Sequence, residues 1–273
     1  MSPRPAKILL YAQLVIGAVL AVIPMLWMVS ASLMPAGQAS SYPPRLFPAG
    51  VTFEHYVALF TRLDLGRSLL NSAIVAVTVT AVSIVINSMA GYAFAKLRFR
   101  GRDRLFRVLA AGLVIPVQVS MLPLFLLLKQ MGLINSYWGV IIPGMASIFG
   151  IFLIRQYAQS IPDDLLDAAR MDGAGEFRIY ASIVLPTIVP ILATMAIWTF
   201  LSTWNDFMWP LIVLSDDAKW TLPVALANLS GEHVQDTELM MAGSVLTILP
   251  VMLVFLFLQR YYIQGVMVGS VKG

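Results

Sequence analysis

Six stretches of this chain are long enough to cross a bilayer and carry almost no charge. They run approximately over residues 8–30, 68–95, 105–128, 137–154, 184–205 and 239–259. None contains Asp, Glu or Lys, and Arg107, near the start of the third, is their only arginine. A helix needs about 20 consecutive apolar residues to cover roughly 30 Å of hydrocarbon. Lipid offers no hydrogen bonds, so a spanning segment must satisfy its own backbone, as helices and closed barrels do. Runs this long and uniform predict helices rather than the alternating short strands of an outer-membrane barrel. The expected fold is therefore all-α: a polytopic membrane protein with six transmembrane helices, forming a single transmembrane domain over residues 1–273. A charged content of 12 % and a mean hydropathy of +0.83 exclude an ordinary soluble domain. The first stretch follows Arg4 and Lys7 and precedes the small residues of "ASLMPAGQA", as a secretory signal would. Its apolar run exceeds the roughly 7 to 15 residues of a signal core, which predicts a retained first span.

Lys and Arg set the orientation. The N-terminus, the "KLRFRGRDRLFR" link after the second span, the link after the fourth and the C-terminal tail hold 13 of the 18 basic residues and six of the 14 acids, a balance of +7. The opposite links hold five basic residues and eight acids, a balance of −3. The positive-inside rule then places both termini and the loop over residues 155–183 in the cytoplasm. The net charge of +4 is thus topology rather than a nucleic-acid patch. On the outer side, residues 31–67 are rich in Pro and Gly and then become "TFEHYVALF", a turn-laden segment followed by a short surface helix.

The composition also removes reaction classes. There is no cysteine, and His55 and His233 both fall in polar connecting segments, so neither a thiolate nor a histidine metal centre is expected. No HExxH or GxSxG pattern suggests a membrane-embedded enzyme. A proton- or sodium-driven carrier would want a titratable group at membrane depth, and the span cores contain no Asp, Glu or His. If a solute passes, polar side chains inside spans are its candidate contacts: Asn71, Asn87, Ser88, Gln118 and Asn205, with Trp204 as an aromatic surface beside them. The competing role for each is hydrogen bonding between helices.

The link after the fourth span is unlike the rest. In "QSIPDDLLDAARMDGAGEFRIYASIVLP", Ser160 precedes Pro162 at the expected first helical position. Asp163 and Asp164 then sit at the positive end of the helix dipole. Gly173 should stop this helix and Gly175 loosen the turn. A second short helix through Phe177, Tyr180 and Ile183 should run to Pro186 and open the fifth span. Ala168 and Ala169 are expected to leave a shallow surface on which another protein's groove closes. A lipid-resting helix would favour Lys and Arg on its polar face, whereas this one is acidic.

These residues carry a specific resemblance. Asp167, Ala168, Ala169, Gly173, Ile183, Leu185 and Pro186 keep every interval of the loop signature of permease subunits in ABC importers. Asp167 is the one departure, a shorter acid where the family usually has Glu. "DGA" at Asp172–Ala174, "WNDFMWPLIV" from Trp204 and the segment from Met241 onward look like the smaller six-span permease of maltose-type importers. The resemblance covers essentially the whole chain, and it implies the cytoplasmic (inner) membrane as the location.

It implies a cytoplasmic coupling helix, with contacts at Asp167, Ala168, Ala169, Asp172, Gly173 and Ala174, seated in a cleft of an ATPase subunit. It also implies that the C-terminal tail from Gly265 to Gly273 reaches toward the ATPases. The partners implied are a second homologous permease, an ATPase dimer, and a periplasmic or lipid-anchored solute-binding protein docking near the outer loop before the sixth span. ATP and Mg would be bound by the ATPase, since no GxxxxGK[ST] pattern occurs here, and no cofactor is expected in this chain. The implied solute is a sugar or oligosaccharide, with glycerol phosphate or a polyol as the alternative. Asn87, Gln118, Trp204 and Asn205 are the pathway residues chosen on this reading, with Trp204 as a surface on which a sugar face stacks.

Overall fold

The structure, a computed structural model, describes residues 3–43, 45–61, 63–232 and 236–270. Helix α1 (Pro3–Ala31) leads through a turn-rich segment to the short α2 (Glu54–Thr61) and the long α3 (Leu65–Lys96). A basic turn precedes α4 (Arg102–Ala111), followed by α5 (Val117–Gln130), α6 (Tyr137–Gly144) and α7 (Ile148–Ala158). Next come α8 (Asp163–Met171) and α9 (Glu176–Ile179), which a π-helical turn over Tyr180–Val184 joins to α10 (Leu185–Thr187). The chain ends in α11 (Val189–Trp204), α12 (Met208–Val213), α13 (Leu222–Glu232) and α14 (Thr237–Ser270). Among the described residues there is no strand, as expected of an all-α chain.

Four segments are long and apolar enough to span a membrane: residues 7–31, α3, α6 with α7, and residues 237–257 of α14. The count reaches six only if two bent pairs are each taken as one span. The expected third span is broken, with α4 and its trailing turn meeting α5 at 107°. Pro116 explains the break: it pushes Ile115 into extended conformation (φ −80°, ψ 118°) and itself becomes the N-cap of α5. The expected fifth span is bent by 79° at Ile188, between Pro186 and Pro190. Each proline removes a donor and crowds the carbonyl four residues back. The prolines thus bend these two apolar segments too sharply for continuous helices.

The chain forms two compact units. One comprises residues 1–67 and 225–250. In it Ala31, Met34 and Ala39 are buried with Trp27 and Met241 against them. Glu238 is buried as well, and one of its oxygens accepts the Ala39 N–H at 2.7 Å. His55 is not in a solvated connector: it is a buried residue of α2, with Nε2 2.9 Å from the Met34 carbonyl and Nδ1 3.8 Å from Asp236. His233 lies outside the described residues.

The second unit comprises residues 68–224 and 251–273. One cluster joins Val75 and Val79 of α3 to Leu128, Val140, Ile141, Trp209 and Val213. Another joins Tyr92 to Ile154, Ala158, Leu166, Ile179, Val184 and Met195, so that α8 is founded on the same core as α7 and α11. Lipid tails are as apolar as leucine, so helices in a membrane are held by close packing and satisfied polar groups. Gly91 supplies such an approach: a Cβ there would meet Ile154 Cγ2 at 2.7 Å and the Arg155 nitrogen at 3.1 Å, bringing α3 onto α7.

Candidate coupling element and solute path

Helix α8 ends in a Schellman motif. Gly173 adopts φ +81°, the left-handed conformation that glycine takes without penalty. The Gly173 N–H then reaches the Arg170 carbonyl, and the Ala174 N–H the Ala169 carbonyl, each at 3.0 Å. Its start differs from expectation. Pro162 is the N-cap (φ −60°, ψ 132°), one position earlier than foreseen, and no side chain caps the helix. The Ser160 hydroxyl donates instead to the Tyr157 carbonyl, closing the end of α7.

The faces of α8 divide in a way the sequence did not resolve. Leu166 is buried and Ala169 half-buried against the chain's own core, where Ala174 also packs. The surface left open carries Leu165, Ala168, Met171 and Asp172, with Met171 88 % exposed, and Phe177 of α9 is 73 % exposed. The expectation that Ala168 and Ala169 together form an open surface is therefore corrected: Ala168 faces out and Ala169 faces largely in. Three residues apart, positions 166 and 169 share one helix stripe, which the core claims. Arg170 ties the turn together, reaching Asp167 at 2.6 Å within α8 and Glu176 at 2.8 Å at the start of α9.

Three side chains of α3 grip this element, none of them singled out by sequence as a holder of it. The Lys96 ammonium donates to the Ile161 carbonyl at 2.6 Å, to the Gln159 carbonyl at 3.3 Å and to Asp163 at 2.7 Å. Lys96 beside it holds the Asp163 carboxyl below its ordinary range. Tyr92 donates its hydroxyl to Glu176 at 2.7 Å, and Ser88 shares a 2.7 Å hydrogen bond with the Tyr180 hydroxyl. Positions 88, 92 and 96 recur every four residues, one stripe of a single helix. That recurrence was visible in the sequence; what it faced was not.

The polar residues within the spans part company. Asn87 is 1 % exposed, donates to Ser83 Oγ at 2.7 Å and accepts the Ser147 N–H at 3.0 Å. It thereby satisfies a backbone N–H left free between the end of α6 at Gly144 and the start of α7, the provision a broken helix needs in lipid. Asn71 likewise donates to the Ala218 and Trp220 carbonyls and accepts from the Tyr137 hydroxyl. Trp204 is 2 % exposed and stacked on Phe200 at 5.6 Å, so its ring is no open platform for a sugar. Asn205 is exposed and donates to the Leu201 carbonyl, closing α11.

Gln118 has a different setting. It is exposed and lines a cavity of about 400 Å³ with Ser120, Met121, Thr203, Asp206 and Trp209. The Asp206 carboxyl accepts the Trp209 N–H at 3.3 Å, and burial pushes its pKa up. Sequence placed Asp206 in an outer connector, so its position beside Gln118 comes from the structure alone. Among the described residues no cluster of His, Asp or Glu is arranged to hold a metal ion.

Residues 87–268 match the family of binding-protein-dependent transport system inner membrane components. The chain belongs to that family. It is 39 % identical over 259 residues to the arabinooligosaccharides transport system permease protein AraQ of Halalkalibacterium halodurans, covering 94 % of this chain and 93 % of that one. It is 33 % identical to the lactose transport system permease protein LacG of Rhizobium radiobacter, over 98 % and 97 % of the two chains. A solved bacterial ABC transporter involved in the import of the acidic polysaccharide alginate superposes with a TM-score of 0.85 at 26 % identity, over 96 % of this chain and 98 % of that one. As a binding-protein-dependent inner membrane component, the chain is a non-catalytic, multi-pass membrane subunit.

Proposed function

We propose that this chain is one of two permease subunits of an ABC importer for a sugar or oligosaccharide, and that α8 transmits ATP-driven movement from a separate ATPase. The observation that carries this reading is the construction of α8. One face is fixed to the chain's own core and to α3, while the other presents Leu165, Ala168 and Met171 with no covering from the described residues. An apolar helix face beside a rigid mount suits a partner's groove and a lever at once. Whole-length similarity to transport permeases named for arabinooligosaccharides and lactose supports the sugar as solute.

ATP and Mg belong, on this reading, to the ATPase subunits, and an external binding protein delivers the solute. Both termini and α8 face the cytoplasm, following the excess of Lys and Arg on that side. Asp167, Ala168, Asp172 and the Gly173–Ala174 turn form the contact edge, and Ala169 supports it from beneath. The cavity at Gln118 is the solute path's polar station in this subunit. Asn87, Trp204 and Asn205, chosen with it from sequence, serve packing and helix closure.

The deciding experiment is to tag the chain, extract it gently from its native membrane, identify what co-purifies and assay ATP hydrolysis. Recovery of an ATPase and a second permease, with hydrolysis raised by a soluble binding protein and an oligosaccharide, is the expected result. A chain that purifies alone and still moves solute in vesicles overturns the proposal.

A further inference from the structure

The turn between α3 and α4 collects positive charge with little to neutralise it. Lys96, Arg98, Arg100, Arg102, Arg104 and Arg107 fall within twelve residues that hold a single acid, Asp103. Three of the six are engaged. Lys96 is bound to the segment before α8, Arg102 pairs with Asp103 at 3.1 Å, and Arg107 reaches the Asp103 carbonyl at 3.3 Å. Arg98, Arg100 and Arg104 are exposed and have no hydrogen-bonded acid among the described residues, although Arg98 lies near enough to Asp163 to draw its carboxyl down. Gly101, at φ +84°, turns the chain so that Arg98, Arg100, Arg104 and Arg107, together with the Arg102–Asp103 pair, line one open groove of about 840 Å³.

Beside these charges α4 carries bare aliphatic surface. Leu105 and Val108 are exposed, Val108 to 68 %, while Phe106 is buried beneath the Arg155 guanidinium at 4.0 Å. The exposed surface continues through Leu113 and Val114 toward α5, and the turn itself directly follows the end of the membrane-crossing α3.

We propose that this groove binds an anionic phospholipid of the cytoplasmic leaflet, its phosphate held by Arg98, Arg100 and Arg104 and its acyl chains lying along Leu105 and Val108. Guanidinium groups suit phosphate because their planar donors meet two oxygens at once. Clusters of four to eight basic residues immediately inside a membrane span draw anionic headgroups from that leaflet. The adjoining aliphatic face distinguishes a diacyl lipid from a free phosphate, which would gain nothing from Leu105 and Val108. It equally distinguishes a lipid from an acidic protein surface, which would leave that face bare at the bilayer's edge.

The test uses the full chain, purified in detergent and stripped of native lipid. It is incubated with micelles of phosphatidylcholine doped with phosphatidylglycerol, and retained lipid is counted by native mass spectrometry. The combined variant Arg98→Gln, Arg100→Gln, Arg104→Gln should lower phosphatidylglycerol retention about tenfold or more, leaving phosphatidylcholine unchanged. Raising salt should weaken retention by the parent chain in the same selective way. Equal retention by parent and variant overturns the proposal. So does displacement by glycerol phosphate at the concentration of the lipid, which would mean a free-phosphate site. Loss of a co-purifying subunit with the lipid count unchanged overturns it too, in favour of a protein contact. Should the arginine variant fail to insert, Leu105→Ser with Val108→Ser keeps every charge and must lower phosphatidylglycerol retention for the proposal to stand.

Discussion

Lys96 shows how one side chain joins distant parts of the sequence. Its ammonium bonds to Gln159, Ile161 and Asp163, more than sixty residues away, and so ties the end of α3 to the entry of α8. Lys96→Ala leaves the Ile161 carbonyl without this donor and frees the start of α8. The expected outcome is normal membrane insertion with solute moved per ATP reduced several-fold. Lys96→Arg, which keeps the charge and several donors, should restore part of it. An unchanged ratio in the alanine variant would remove α3 from the transmission path. The pH dependence follows from the sign of the Asp163 shift. A carboxyl lowered by its partner supplies its stabilisation above the unperturbed value and loses it only as pH falls through the lowered one. Coupling should therefore be insensitive to this pair from about pH 5 to 8, above the ordinary aspartate value of about 3.9. A midpoint for coupling in that interval, abolished by Asp163→Asn, would contradict it.

At the scale of the element, α8 and its turn are tied at both ends, by Lys96 before Asp163 and by Tyr92 and Arg170 at Glu176. Gly173 permits the Schellman turn. Gly173→Ala forces a Cβ into the left-handed region at a cost of roughly 1 to 2 kcal/mol, and Gly173→Pro also deletes the N–H bonded to Arg170. We expect partial loss of uptake for alanine and near-complete loss for proline, with membrane insertion intact in both; normal uptake in the proline variant would remove the coupling role. The two alanines separate by the direction they face. Ala168→Trp should block the partner's groove and lower ATPase co-purification with the folded chain unaltered. Ala169→Trp should overpack the core around Leu166 and lower thermal stability first, since extra volume in a filled site typically costs about 1–3 kcal/mol. Identical behaviour of the two would show that the half-burial of Ala169 is without consequence. The helix, its stop at Gly173 and its acidic first turn were all legible from residue types and spacing. The faces were not, because the same apolar residues suit a partner's groove and the chain's own core.

The whole molecule raises the questions of sidedness and of the route for solute. The native chain has no cysteine, so Arg170→Cys gives a clean reporter. An impermeant thiol reagent should label it only after the membrane is opened, and labelling from outside intact cells would reverse the topology. For the route, Gln118→Ala should raise the solute concentration needed for half-maximal uptake severalfold, with basal ATP hydrolysis unchanged. Asn87→Ala should instead lower the yield of folded protein, because it strips an acceptor from the Ser147 N–H between α6 and α7. If both variants changed only the half-saturating concentration, the division between pathway and packing residues would be wrong.

Apolar run length determined, from sequence alone, that this is a helical membrane chain, because hydrocarbon forbids unsatisfied backbone whatever the neighbours are. Local chemistry also determined that a charged helix would interrupt the spans after the fourth, since helix start and stop signals act within a few residues. Tertiary structure decided the rest. It decided which prolines bend a span sharply, with Pro116 and the Pro186–Pro190 pair marking sharp bends while Pro24 and Pro250 lie within continuous helices. It decided that Asn87 serves a broken backbone while Gln118 faces a cavity, and that Asp206 joins it there. A polar side chain in a span has the same sequence signature whether its partner is a solute or a severed helix. Only the packing of the helices around it supplies one partner and withholds the other.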